Sequence, residues 1–228
     1  MYTASTRLAD VIFGDYTVIT LLNRFGITLG VGDQSIGAIC AERGIDAAFF
    51  TTLLNIYTGS SCRQADGIGM DFIKPTIEYL KSSNDYYADT ALPNIERHFR
   101  ALHDRSVAEN NLEFLWIFFQ ELKTELHSRI RYDNEKRFPL LSAMADAPTG
   151  DSCAELAECP ECDQAIEDKV DDLTSFFVIH LRGEYDQNLC MAVVTSLMAL
   201  EKDIKRNNVI RQQLLRQASG ALTCDNPG

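Results

Sequence analysis

The stretch LEFLWIFFQELKTELHSRIRYDNEKRFP, running from Leu112 to Pro139, decides the fold. Leu112, Leu115, Phe119, Leu122 and Leu126 recur at spacings of three and four, which places them on one stripe of a helix. The same stripe then carries Arg129 and Asp133 before returning to Leu140, predicting a helix over about 110–143. Two charged residues stand where the period asks for leucine. Burying an isolated charge is very costly, so groups at such positions must be paired or bind a metal.

Working outward, three further stretches have the same period. One covers about 71–104 with Ile73, Ile77, Leu80, Asn84, Ala88, Leu92, Ile95, Phe99 and Leu102. Another covers about 163–182 with Ile166, Val170, Leu173, Phe177 and Leu181. The last covers about 186–217 with Val193, Ser196, Leu200, Ile204, Asn207, Arg211 and Leu214. Pro93 is expected to bend the first, because it lacks an N–H and crowds the preceding turn. With connections at about 105–110, 144–162 and 183–185, the four make an antiparallel bundle over 70–217. Ahead of it, residues 1–58 hold four shorter pieces, Thr6–Phe13, Tyr16–Phe25, Gln34–Arg43 and Asp46–Tyr57, with Asp15, Asp33 and Asp46 as expected N-caps. Residues 59–69 are a linker and 218–228 a tail. No strand pattern is present, and the fold class is all-α.

Composition narrows the function. Lys plus Arg number 21 against 33 Asp plus Glu, a formal charge of −12. Such an excess of acid opposes non-specific nucleic-acid binding, which depends on neutralising phosphates. The piece Gln34–Arg43, read as a recognition helix, offers a single cation. There is no run of 18 apolar residues for a membrane span and no signal-peptide pattern, so the expected location is cytoplasmic. Seven cysteines do not form a secreted disulfide framework. Cys153, Cys159 and Cys162 include a Cys-Pro-Glu-Cys, but nine acids between Asp151 and Asp172 disfavour a thiolate there, and a loop with incidental cysteines is expected. His98, His103, His127 and His180 are scattered, with a surface or helix-flank place expected of His127. No phosphate-binding glycine loop or Ser/His/Asp arrangement occurs. Phe114, Trp116, Phe118 and Phe119 exceed what one stripe needs, leaving part of this girdle to meet the leading domain or a second subunit.

Polar residues interrupt every long stripe: Asn84 and Asp85, Arg129 and Asp133, Glu167 and Asp168, Asn207 and Arg211. In this arrangement the four-helix part resembles the hemerythrin-like domain of the repair-of-iron-centres (RIC, YtfE/ScdA-like) di-iron proteins. Asp85 to Leu92-Pro93 has the spacing of the family's first histidine to its Leu-Pro. The run from Arg129 through Asp133-Asn134 to Phe138-Pro139 is similar to a His-x-x-x-Glu-Glu…Phe-Pro segment. Glu167-Asp168 falls where the third histidine is expected, and Asp203 to Asn207 and Arg211 resembles the closing segment. Gly26-Ile27-Thr28-Leu29-Gly30-Val31-Gly32 stands where the family's leading domain has a Gly-Ile-Asp-Phe-Cys-Cys-Gly motif.

The resemblance implies six ligand positions, here occupied by Asp85, Arg129, Asp133, Glu167, Asn207 and Arg211, none a histidine. Arginine offers no lone pair to a metal, so no cofactor is expected. Arg129 and Arg211 are expected to replace two cations, pairing with Asp85, Asp133 and Glu167, with Asn207 bridging. The expected function is that of a non-enzymatic, metal-free relative acting as a sensor, scaffold or regulator, with an unknown protein partner or a second copy. The alternatives are an iron-binding repair protein using Asp85, Asp133 and Glu167, and a stress-response transcriptional regulator lacking its DNA-binding module.

Overall fold

The computed structural model describes residues 1–60, 68–106, 111–146 and 160–223, with the side chains of 160–162 and 219–223 left aside. Among the described residues every regular element is helical, and one isolated bridge joins Arg7 to Ser35. The helices are α1 (Leu8–Gly14), α2 (Val18–Arg24), α3 (Ile36–Arg43), α4 (Ala47–Tyr57), α5 (Ile73–Tyr86), α6 (Leu92–Asp104), α7 (Leu112–Tyr132), α8 (Phe138–Asp146), α9 (Pro160–Ser175) and α10 (Gln187–Thr223). Five-residue π turns occupy Tyr87–Ala91, Asp133–Arg137 and Phe176–His180. No helix among the described residues is long and apolar enough to cross a membrane. Residues 61–67 of the expected linker and 224–228 of the expected tail, with Cys153 and Cys159, lie outside the described residues, as does the side chain of Cys162.

The chain divides into two compact units. The first pools Met1–Ser83, Phe138–Leu156 and Arg206–Gly228, and the second pools Asn84–Arg137 and Ala157–Lys205. Within the first, short helices end and begin where local chemistry dictates. Ser35 accepts the Ala38 N–H at 3.2 Å to start α3, and Asp46 accepts the Phe49 N–H at 2.8 Å to start α4. Asp33, expected as a cap, instead meets Arg7 at 2.8 Å. Asp33 lies two residues before the cap position, which Ser35 takes instead. Gly37 allows a close approach: its N–H donates to the Ala4 carbonyl at 2.8 Å, and an added Cβ would crowd that oxygen at 3.1 Å.

The core of this unit joins Leu8, Leu21, Ile36, Phe50 and Leu54 of the leading helices to Ile73, Ile77 and Leu80, to Phe138 and Leu141, and to Ile210 and Leu214. Short helices bury too little apolar surface to stand alone, so this unit recruits parts of three longer ones. An ion pair reinforces it: Arg206 contacts Asp15 at 2.6 Å, also donates to the Thr17 hydroxyl, and lies 4.8 Å over the Tyr57 ring.

The second unit has its own core, with Leu92, Ile95 and Phe99 meeting Leu115, Phe119 and Leu122, Val170 and Leu173, and Val193, Leu197 and Leu200. Four helical stretches thus contribute one apolar stripe each. Two of the π turns accommodate prolines. The α pattern would aim Pro93 at the Asp89 carbonyl, where it has no N–H to give and its ring collides. Leu92 instead donates its N–H to Tyr87, five residues back, opening the turn just before the proline. Pro139 stands at the same offset from Asp133–Arg137. Each turn holds one extra residue, so the buried stripe slips: it runs from Tyr87 to Leu92, and from Asp133 through Arg137 to Leu141, while the expected Ala88 and Leu140 are only half-buried.

Burial pushes the Asp15 carboxyl up, but hydrogen bonds from Thr17 and Arg206, with the Arg206 charge, outweigh it and hold the carboxyl below its ordinary range. A carboxyl lowered in the folded state adds stability that is complete above its unfolded pKa and is lost as pH falls through the folded value. Asp15→Asn therefore lowers the melting temperature at neutral pH, and the gap from the parent protein closes as acid protonates Asp15, which thermal unfolding followed by circular dichroism at stepped pH measures.

Candidate functional site

The inner face of the second unit carries a chain of charges. Helix α7 brings in Arg129, the π turn after it brings in Asp133 and Arg137, helix α9 brings in Asp163, and the end of α5 brings in Asn84. Relative exposure is 4% for Arg129, 0% for Asp133, 2% for Arg137 and 4% for Asp163. Arg129 Nη1 lies 3.4 Å from Asp163 Oδ1. The other Asp163 oxygen lies 3.6 Å from Arg137 Nη1, which is in turn 2.9 Å from Asp133 Oδ1. Asn84 Nδ2 donates to Asp133 Oδ2 and to Asn134 Oδ1, both at 3.4 Å. Two guanidinium groups and two carboxylates alternate, and their charges sum to zero.

The local sequence explains the placement. Arg129, Asp133 and Arg137 are spaced four apart, so each lies about one turn beyond the last on the same face. Arg137 packs 5.4 Å over the Tyr132 ring, which shields its guanidinium further. Asp163 precedes Ile166 and Val170 on the buried row of α9, at spacings of three and four.

The six residues expected to meet are placed differently. Arg129 and Asp133 are in the cluster. Asp85 is exposed: it follows Asn84 by one residue, about 100° around a helix, and Asn84 is the one that turns inward. Glu167 is half-buried, and Asp163, one turn earlier, holds the inner position. Asn207 and Arg211, both 1% exposed, belong to the first unit, where Arg211 Nη1 donates to Asn208 Oδ1 at 2.7 Å. Arg137 and Asp163 went unmarked in the sequence. The available signal was the Asp133–Arg137 spacing of four, one step further along a row already noted.

These side chains do not suit a pair of iron ions. Ligation needs lone pairs converging on one point, and here the guanidinium groups of Arg129 and Arg137 approach the carboxylate oxygens instead. Among the described residues no group of three or more His, Cys, Asp and Glu is placed to hold a metal. Comparison with protein-family models, curated proteins and solved structures finds no match.

Two thiols are placed among the described residues. Cys40 and Cys190 are buried free thiols, and burial raises both above the ordinary thiol range, with the Asp46 charge adding to the effect at Cys40. Raised thiols have little thiolate at neutral pH and make poor nucleophiles. His127 and His180 are exposed, and exposed His103 contacts Glu113 at 2.8 Å.

Removing one partner from a buried ion pair leaves the other charge without compensation, at a cost of about 3–5 kcal/mol. Arg137→Ala is therefore expected to destabilise strongly. The double variant Arg137→Met/Asp133→Leu, which removes a neutral pair and leaves Arg129 with Asp163, is expected to recover most of that loss. Urea unfolding of the two variants beside the parent protein measures both.

Proposed function

We propose that this chain is a metal-free, non-enzymatic relative of the repair-of-iron-centres proteins, acting as a partner-binding regulator, sensor or scaffold. On this reading its second unit derives from a hemerythrin-like bundle, and an arginine–carboxylate cluster takes the place of the two iron ions. One observation carries the reading: Arg129, at the position that resembles a ligand histidine of the second helix, is buried against Asp163 at 3.4 Å. Asp133, at the position of the following carboxylate, is occupied by Arg137 at 2.9 Å.

A cation is needed wherever carboxylates are withdrawn from water, and a guanidinium supplies it without an open coordination site. The exchange pairs these carboxylates with cations and gives up redox and Lewis-acid chemistry, because arginine does not change charge or accept a ligand. What remains is a rigid helical scaffold whose outer faces are free to evolve recognition. Buried pairs of this kind specify which helix faces meet more than they add stability, a property that suits a scaffold.

The test is anaerobic reconstitution of the purified full chain with ferrous iron, followed by desalting and elemental analysis. The expected result is no stoichiometric iron or manganese, and no visible absorption after exposure to air. Retention of one or more ions per chain would overturn the reading.

A further inference from the structure

We draw no further inference here: the strongest candidate, the outward row of Met191, Thr195 and Met198 on α10, within a stretch from Gln187 to Leu200 that holds no charged residue, is an apolar helix face, and nothing in the structure shows what covers it.

Discussion

Two carboxylates cannot be withdrawn from water inside a helical core unless something positive goes with them. In the second unit that requirement falls on Arg129 and Arg137, which alternate with Asp163 and Asp133 from one side of the cluster to the other. Because each of these four charges has a partner of opposite sign within reach, the apolar stripes on either side can close around them. The geometry also restricts which helix faces can meet. Sliding α9 by a residue along α7 would draw Asp163 away from both guanidinium groups, while a leucine core would tolerate the slip more easily.

The π turns serve the same arrangement. Pro139 forbids an ordinary turn just before it, and the widened turn at Asp133–Arg137 absorbs the obstruction. Two of the four charges lie on this turn, so a backbone irregularity and the polar cluster occupy the same few residues. The turn at Tyr87–Ala91 is related to Pro93 in the same manner and follows directly on Asn84 and its two neighbours. Wide turns of this kind recur in helices at functional positions, and here two of them border the polar centre.

Much of this was legible in the chain. Helical periods of three and four recovered the helical elements and most of the buried apolar positions, since amphipathic helices record their inward face directly. Arg129, Asp133, Asn207 and Arg211 were recognisable because they occupy that face. The positions that were not legible have separate origins. Asp85 stands one residue from Asn84, about 100° around the helix, whereas Glu167 stands a full turn from Asp163 on the same face, where spacing alone does not say which acid lies deeper. Arg137 was hidden within Asp-Asn-Glu-Lys-Arg, a run whose polarity reads as a solvated surface. The slip from Leu140 to Leu141 could not be anticipated without knowing that the turn had widened. Nor does periodicity reveal that the leading helices share a core with distant pieces of chain, since that depends on contacts far apart in sequence.

Heat acts differently on the two kinds of core in this molecule. Hydration of ions carries a strongly negative entropy, so water's hold on a carboxylate or a guanidinium weakens on warming, and the penalty for enclosing them falls. Apolar burial gains no comparable advantage. The centre of charge is thus a heavier burden in the cold than near the melting point, and the Asp133–Arg137 stretch has its thermal character set by ions where the leucine-lined helices around it are governed by oil.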